Sequence, residues 1–424
     1  MTSGLEESEA GIEAWLSASV NHERDGTFHA IKLQRIAAFL SHLPRPPRPC
    51  TVAGTKGKGS TVRLMECALG AAGRPTVAFT SPHVSSVLER WRLDGQPADA
   101  GIISALCHEV DRLERRHQLP LTYFERTFAV ACLLASRRAG TAFLCEVGLG
   151  GRLDCANALD CAIAVLTHLS HDHRDILGPT LHHLAFEKLA ISRTDSPLVI
   201  APQSPAAALA IWRVAGALHR QASSPIAAAE AGAGPSAASG MVRWVQPPRS
   251  PWELAMPGGH QQENAATAAA ALHAWVPDID PAAIRRGFAQ ARLAARCQEI
   301  EHAGRRLIID GAHNGPSIMR TVEVADRRLR AGWRMILGLA RDKEIDEVLA
   351  VLPSALVVSR CGYRSPRARG PADWPAAAGT WRWFPGIAEA LACQPADLDL
   401  CITGSFYLAG EALCLLGHQG DLPG

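Results

Sequence analysis

A short glycine-rich segment carries the lysine whose position most clearly suggests chemistry. Residues 54–60 read GTKGKGS, between an apolar run over 50–53 and a helical pattern that follows Thr61. Glycines let backbone N–H groups approach an anion, the helix N-terminus adds its positive dipole end, and Lys58 supplies a mobile ammonium. We therefore predict a phosphate-binding loop, with a plain glycine turn between strand and helix as the alternative. The residues assigned to the phosphates are Gly54, Thr55, Gly57, Lys58, Gly59 and Ser60.

A carboxylate stands at the end of another apolar run. Glu146 closes the run over 142–147 and is followed at once by glycines, in the segment CEVGLGGRLD over 145–154. In an open α/β sheet the carboxyl ends of the strands face the ligand crevice, and Mg²⁺ prefers oxygen ligands. Glu146 is thus a candidate magnesium ligand, the alternative being a strand-end glutamate satisfied by backbone donors.

A third cluster places imidazole and carboxylate within three residues. His171, Asp172 and His173 follow an apolar run over 162–166 and a short polar link. Zinc is the first metal that such a cluster suggests. No further histidine or cysteine stands at the spacing of a zinc site, however, which argues against zinc.

These side chains need a scaffold, and the pattern of apolar runs predicts one. Strand-like and helical segments alternate, which favours a buried, largely parallel α/β sheet. A segment rich in Ala, Gly and Ser over 206–240 is predicted to be a flexible surface excursion at its centre, 227–235. The pattern then restarts, so we predict two domains, 1–294 and 295–424. The predicted strands are 50–53, 76–79, 142–147, 162–166, 307–309, 335–337, 356–358 and 400–402, and the predicted helices include 124–138 and 261–275.

Composition narrows the class of protein. The 424 residues carry 43 basic and 41 acidic side chains, a balance that implies no nucleic-acid partner. None of the 12 cysteines forms a CxxC pair, and most lie in apolar runs, so we expect buried, reduced thiols. The first ten residues lack the apolar stretch of a signal peptide, and no uninterrupted apolar run approaches the roughly 20 residues of a membrane span. We expect a cytoplasmic protein without a membrane partner.

The ordered series of motifs resembles one enzyme family. GTKGKGS is similar to the GTNGKGS loop of folylpolyglutamate and dihydrofolate synthases, members of the Mur-ligase superfamily, with Lys56 in place of asparagine. Similar matches are TSPH at 80–83, TYFE at 122–125, EVGLGGRLDCAN at 146–157, SHDHRDILG at 170–178, FEKLAI at 186–191, HQQENA at 260–265, DGAHN at 310–314 and TGSFYL at 403–408. They cover nearly the whole chain in the family's order, which is more specific than any single motif.

The resemblance implies a fold and a role for each matching residue. The implied fold is a Mur-ligase-like α/β protein, with a P-loop domain on a mostly parallel sheet, a smaller C-terminal α/β domain, and the active site between them. In the family, magnesium is bound by the serine, glutamate and histidine of three motifs, and a carbamylated lysine supports the metal. The implied metal ligands are Ser81, Glu146 and His173; the implied catalytic residues are Lys58, Lys188, His173 and Arg296; Asn264, Arg296, Asp310 and His313 join the loop in binding nucleotide; and Phe124, Arg152, Asp154 and His313 contact substrate.

Several of these residues also have purely structural interpretations. Lys188 has the pattern of a solvated lysine on a helix, Asn264 that of a helix cap, and Phe124 that of a core residue opening a helix. An Asx turn after a strand would explain Asp310 but not His313.

The implied reaction uses ATP to phosphorylate a carboxylate, after which L-glutamate displaces phosphate to form an amide. Implied requirements are ATP, two Mg²⁺ ions and carbamylated Lys188; the implied acid is dihydropteroate or a reduced folate, and the expected state is a monomer. Two alternatives stay open: a related ligase recruited to another acid, and a P-loop ATPase or regulator that forms no amide bond. The first draws on departures from the family's motifs at Lys56, Leu88, Leu189 and Ala294-Ala295.

Overall fold

The computed structural model describes residues 8–21, 33–172, 174–219 and 242–418. The chain divides into two compact units. The N-terminal unit comprises residues 1–83, 87–255 and 260–291, and the C-terminal unit comprises 84–86, 256–259 and 292–424.

Helices and strands alternate along both units. The helices of the described residues are α1 Glu9–Ser17, α2 Leu33–Leu40, α3 Lys58–Ala71, α4 Ala100–His117, α5 Tyr123–Ser136, α6 Arg174–Leu177, α7 Leu181–Leu189, α8 Pro205–His219, α9 Gly259–Trp275, α10 Pro281–Gln290, α11 Gly315–Arg328, α12 Ile345–Val351, α13 Ile387–Ala392 and α14 Phe406–Leu415. The strands are β1 Cys50–Ala53, β2 Thr76–Phe79, β3 Trp91–Leu93, β4 Gln96–Pro97, β5 Ala142–Glu146, β6 Ile163–Leu166, β7 Leu198–Ile200, β8 Val242–Trp244, β9 Gln298–His302, β10 Arg305–Ile309, β11 Arg334–Leu337, β12 Val358–Cys361, β13 Trp383–Phe384 and β14 Leu400–Thr403.

The N-terminal unit is built on an eight-stranded sheet in the order β4-β3-β2-β5-β1-β6-β7-β8. Strands β2, β5, β1, β6, β7 and β8 are parallel, and β3 and β4 add an antiparallel hairpin at one edge. All residues of β1, β2 and β6 are buried, as expected for strands covered by helices on both faces.

The C-terminal unit contains a six-stranded sheet in the order β13-β12-β11-β14-β10-β9. Its strands are parallel except β9, which forms a hairpin with β10. Its core packs apolar side chains on both faces of the sheet, including Ile309, Ile336 and Ile402 on one side and Ile308, Met335 and Cys401 on the other.

The predicted α/β fold class is confirmed. The predicted strands over 50–53, 76–79 and 142–147 match β1, β2 and β5 within one residue, and the predicted helix over 124–138 matches α5 within two. The prediction over 356–358 was displaced, because β12 begins at Val358 while Val357 is exposed. The first part of the Ala-rich segment is helix α8, and its predicted flexible centre lies outside the described residues.

A buried ion triad fixes the hairpin β3–β4 to helix α3. The Glu66 carboxylate accepts hydrogen bonds from Arg63 Nη1 at 2.7 Å and Arg92 Nε at 3.0 Å. Both arginines also donate to the carbonyl oxygen of Gly95 in the hairpin turn. The side chains of Glu66 and Arg92 are almost completely buried, and the Glu66 carboxylate supplies a counter-charge that both guanidinium groups share. The triad therefore anchors the helix that begins at Lys58.

The cysteines are mostly buried in the folded chain. Nine of the twelve are buried, Cys67 is half-buried, and Cys393 and Cys414 are exposed. Burial raises the pKa of the Cys107 thiol to about 12, so this thiol stays protonated and unreactive at neutral pH. None of the helices in the described part of the chain is both long and apolar enough to cross a membrane.

Candidate active site

The candidate site lies at the carboxyl edge of the N-terminal sheet. Strands β2, β5, β1 and β6 are adjacent and parallel, so the segments that follow them emerge side by side. These segments are residues 54–60, 80–83, 147–154 and 167–172, which carry most of the predicted chemistry. The topology thus places the predicted phosphate loop between the segments that carry Ser81 and Glu146 on one side and the segment 167–172 on the other.

Glycine is required at two positions of the phosphate loop. Gly54 and Gly57 have φ of 149° and 89°, and Gly57 forms the N-cap of α3. A Cβ at Gly54 would lie 1.8 Å from Thr167 Oγ1, and one at Gly57 would lie 2.2 Å from Asn264 Oδ1. The loop therefore packs tightly against its neighbours and leaves the N-terminus of α3 able to receive an anion.

The loop is held by side chains on both sides. Thr55 Oγ1 donates to Ser170 O at 2.9 Å, and the backbone N–H of Thr55 donates to His168 O. On the other side, Gln261 Nε2 donates to Ser60 Oγ at 3.3 Å. Lys58 Nζ donates to Gly54 O at 3.3 Å, so the lysine side chain folds back over the glycine-rich loop. The lysine is thus presented above the same backbone that would hold the phosphates.

Asn264 lies beside the loop and does not cap its helix. It is the sixth residue of α9, and its Nδ2 donates to Gln261 Oε1 at 2.9 Å. The interpretation of Asn264 as a capping residue is therefore wrong, and its contact with Gly57 places it within the predicted nucleotide site. Gln261 was not assigned a role from the sequence, although it belongs to the same HQQENA segment.

Two oxygen groups suited to a divalent cation lie together after β2 and β5. The backbone N–H of Ser81 donates to Glu146 Oε2 at 3.1 Å, and both residues are buried. Ser81 Oγ is also buried and has no hydrogen-bond partner among the described residues. An orphaned hydroxyl beside a buried carboxylate fits a hard cation that prefers oxygen ligands. The backbone-donor alternative for Glu146 describes one of its contacts and does not account for Ser81 Oγ.

The third predicted metal ligand, His173, lies outside the described residues. The residues that the structure does describe hold no group of three or more His, Cys, Asp or Glu side chains arranged for a metal. The proposed set is of a different kind, because it combines a serine and a glutamate with His173. His171 is exposed, and we assign it no function.

Lys188 is buried near the loop, at the end of helix α7. It is 6% exposed, and burial, together with the charge of Lys58, lowers its pKa to about 7. The interpretation as a solvated surface lysine is therefore wrong. An amine with a pKa of about 7 is about half neutral at neutral pH, and the neutral form can react with carbon dioxide, so the chemistry required for carbamylation is present. Gly151 lets the end of α7 pack closely against the glycine segment after β5, because a Cβ at Gly151 would lie 2.7 Å from Glu187 O and 3.2 Å from Lys188 Cα.

The predicted substrate residues divide into different environments. Asp154 accepts from the backbone N–H groups of Gly148 at 3.0 Å, Leu149 at 3.2 Å and Ala156 at 2.9 Å, so it shapes the glycine loop. Arg152 is partly exposed and donates to Glu187 Oε1 at 2.7 Å. Their direct contact with a substrate stays a prediction.

Phe124 lies half-buried beside the same loop. Its ring packs edge-on against Phe79 with centroids 5.7 Å apart, and a Cβ at Gly148 would lie 2.5 Å from its Cζ atom. The surrounding TYFE segment begins α5 with a capping box between Thr122 and Glu125. Glu125 Oε2 also accepts a hydrogen bond from Arg35 Nε at 2.8 Å. Phe124 thus lies at a firmly anchored helix start. Part of its ring packs against the core, as the structural interpretation predicts, and the rest of the ring is exposed.

In the C-terminal unit, Asp310 organises the loop that carries Arg296. Asp310 Oδ2 accepts from Cys297 N at 2.7 Å, while Oδ1 accepts from Ala312 N at 2.8 Å and Thr321 Oγ1 at 2.9 Å. The contact with Ala312 is the Asx turn that the sequence offered as an alternative. Because its oxygens are engaged in this way, Asp310 supports the loop; its contact with nucleotide stays a prediction.

Arg296 and His313 both lie near one aromatic ring. The Arg296 guanidinium is 4.5 Å from the centroid of Phe406, and the His313 ring centroid is 6.0 Å from it. His313 Nδ1 also lies 2.9 Å from Gly311 O. Ala295, where the chain departs from the family's motif, has φ of 52°, in the left-handed region that costs a non-glycine residue about 1–2 kcal/mol.

The TSPH segment also carries His83, which pairs with an arginine from further along the chain. Arg90 Nε donates to His83 Nδ1 at 2.9 Å, two residues beyond Ser81. Desolvation and the adjacent guanidinium lower the pKa of His83 to about 3, which keeps the imidazole neutral with its proton on Nε2.

Comparison with known proteins identifies relatives of this chain. It is 31% identical over 413 residues to the dihydrofolate synthase/folylpolyglutamate synthase of Escherichia coli strain K12, covering 95% of this chain and 94% of the relative. No family model matches it.

Solved structures agree with that likeness. The structure of Mycobacterium tuberculosis folylpolyglutamate synthase complexed with ADP superposes with a TM-score of 0.80 at 25% identity, covering 97% of this chain and 99% of that chain. E. coli FolC in complex with DHPP and ADP gives a TM-score of 0.78 at 26% identity, covering 96% and 97%. By sequence and by fold, therefore, this chain belongs to the folylpolyglutamate synthase/dihydrofolate synthase family.

Proposed function

We propose that this protein is an ATP-dependent ligase that joins L-glutamate to the carboxylate of a pteroate or folate through an acyl phosphate. One observation carries the proposal: the phosphate loop, the Ser81–Glu146 pair and the buried Lys188 occur together at one sheet edge. They do so in a chain related over 95% of its length to a dihydrofolate synthase/folylpolyglutamate synthase. The M. tuberculosis and E. coli structures described above hold ADP, which supports ATP as the phosphoryl donor.

The residues of the N-terminal unit suit phosphoryl transfer, which requires mainly positioning and charge neutralisation. The backbone of residues 54–60 and the N-terminus of α3 would hold the phosphates, and Lys58 would contribute its charge to the outer ones. Ser81, Glu146 and His173 would hold Mg²⁺, which neutralises phosphate charge when bound. In the C-terminal unit, Arg296 makes no hydrogen bond or ion pair with any described residue, so its donors are available to an anion.

The acid substrate is proposed from Phe124 and its surroundings. A half-exposed aromatic ring on an anchored helix can pack against a flat pterin or aminobenzoyl group. Because the relative from E. coli carries both activities in its name, we expect dihydropteroate as well as tetrahydrofolate to be accepted.

The test supplies each acid separately with ATP and labelled L-glutamate and detects the amide product. Glutamate-dependent phosphate release with product from either acid supports the proposal. Turnover of an unrelated carboxylic acid with no folate product would favour the recruited ligase. Phosphate release without amide would favour the ATPase, and product from tetrahydrofolate alone would restrict the activity to polyglutamylation.

We predict that Glu146→Gln lowers ligation steeply, on the order of 10²-fold or more, because it removes the charge from a proposed metal ligand while keeping its shape. Added Mg²⁺ should restore little activity. Mn²⁺ bound in the presence of a nonhydrolysable ATP analogue, measured by electron paramagnetic resonance, should weaken in parallel. Glu253→Gln, on an exposed residue, is the matched control. A nucleotide complex with the cation held only by phosphates and water would contradict the assignment.

We predict that Lys188 is carbamylated. With ¹³C-bicarbonate the wild type should show a carbamate resonance that grows from pH 6 to pH 8, since a pKa of about 7 makes the amine neutral above that pH. Lys188→Arg should lose the carbamate resonance and most of the ligation activity. The activity of Lys188→Ala should be partly rescued by acetate or propionate. Lys343→Arg, the control, should retain both the resonance and the activity. Full activity of Lys188→Arg, with no resonance in the wild type, would overturn this prediction.

The number of metal ions and the state of the protein in solution are also part of the proposal. We propose two Mg²⁺ ions, a monomer, and a cytoplasmic location. Equilibrium sedimentation tests the monomer directly.

A further inference from the structure

The guanidinium of Arg296 has one aromatic partner and no polar one in the described chain. It stands 4.5 Å from the Phe406 ring centroid, within the range of a cation–π contact. Arg296 is half-buried, so the ring is the contact that restrains its long side chain. Restraint by a ring leaves all five N–H donors of the guanidinium unused.

Phe406 reaches this position because of two local features. It is the first residue of α14, where Ser405 caps the helix by accepting the N–H of Tyr407. Its ring also lies against Gly311, where a Cβ would come within 2.2 Å of Cε1. The absence of a side chain at Gly311 is therefore what lets the ring lie close to both Arg296 and His313.

The backbone around Arg296 is held separately from its side chain. Ala295 and Cys297, on either side, have φ of 52° and 47°. Asp310 fixes Cys297 N, and Ala295 O accepts from Gly311 N at 2.9 Å. The main chain is thus pinned through Asp310 and Gly311, while the side chain is oriented by Phe406.

We propose that Phe406 is a positioning residue, which holds the Arg296 guanidinium ready to receive the anionic phosphates of ATP. The inference rests on the proposed function, because it requires that Arg296 binds this anion. A cation–π contact of this kind raises the population of the Arg296 rotamer that it holds by about twofold to fivefold. Phe406 itself does not contact the reacting atoms in this proposal.

A double-mutant cycle in the full-length protein tests the inference. Phe406→Leu keeps an apolar side chain and removes the ring, and we expect kcat/KM for ATP to fall about threefold to fivefold. Phe406→Tyr keeps the ring and should behave as the wild type. In an Arg296→Ala background, Phe406→Leu should cause no additional loss, because it acts through the arginine.

Each other outcome is decisive. If Arg296→Ala is impaired but Phe406→Leu is not, the positioning role is wrong and the proposed role of Arg296 stands. An equal loss from Phe406→Leu in both backgrounds, accompanied by a lowered unfolding midpoint, indicates a structural role and overturns the inference. If Arg296→Ala turns over ATP like the wild type, the proposed role of Arg296 fails, and the inference fails with it.

Discussion

Replacing Lys58 by alanine is expected to abolish ligation, with a loss on the order of 10³-fold or more, while leaving the fold intact. The ammonium lies over the loop at the N-terminus of α3, 3.3 Å from Gly54 O, and is half-buried. Its removal deletes a charge that would neutralise the outer phosphates and leaves no buried group without a counter-ion. Phosphate release with saturating substrates measures the effect, and circular dichroism checks the fold.

Lys56→Asn supplies a comparison within the same loop. This substitution also removes one positive charge, two residues away, and introduces the residue that the family's motif carries. A much smaller loss than that of Lys58→Ala is expected, because Lys56 precedes the helix N-terminus. Equal activity of Lys58→Ala and the wild type would rule out the assigned role of Lys58.

The largest expected effect on stability comes from Glu66→Gln. Glutamine keeps the shape but leaves two nearly buried guanidinium groups, on Arg63 and Arg92, without their shared counter-ion. Breaking a buried pair in this way costs about 3–5 kcal/mol. The free energy of unfolding of the N-terminal unit, followed by urea denaturation with intrinsic tryptophan fluorescence, should fall by that amount.

A surface pair provides the matched control. Glu299 lies 3.5 Å from Arg328, and both side chains are exposed. Exposed ion pairs contribute little because water screens them, so Glu299→Gln should leave the unfolding midpoint nearly unchanged. A Glu66→Gln protein as stable as the wild type would show that the triad does not depend on its charge.

Local patterns were enough to predict the scaffold of the site. Glycine before a helical pattern predicted the phosphate loop, and short apolar runs predicted β1, β2 and β5, because both signals depend on neighbouring residues. The displaced prediction near Val358 arose from the same rule, since an exposed Val357 continues the apolar run in sequence but lies outside the strand.

Properties that depend on distant contacts could not be predicted. The lowered pKa of Lys188 arises from burial and from Lys58, which lies 130 positions away in the chain. The engagement of both Asp310 oxygens depends on Cys297, in the loop before β9, and on Thr321, in helix α11. A short-range pattern does not show which carboxylate oxygens will accept hydrogen bonds from the protein itself. Residues that support the loops were therefore predicted together with residues that bind ligands.

The closeness of Lys58 and Lys188 has a practical consequence for chemical labelling. The chain contains five lysines, at positions 32, 56, 58, 188 and 343, among 43 basic residues, and arginine supplies nearly all other positive charge. Reagents that attack amines therefore find very few side chains, and three of the five belong to one neighbourhood. In the purified protein, an aldehyde-bearing nucleotide analogue would label that neighbourhood against a low background of other lysines, and its capture by borohydride would report occupancy of the loop.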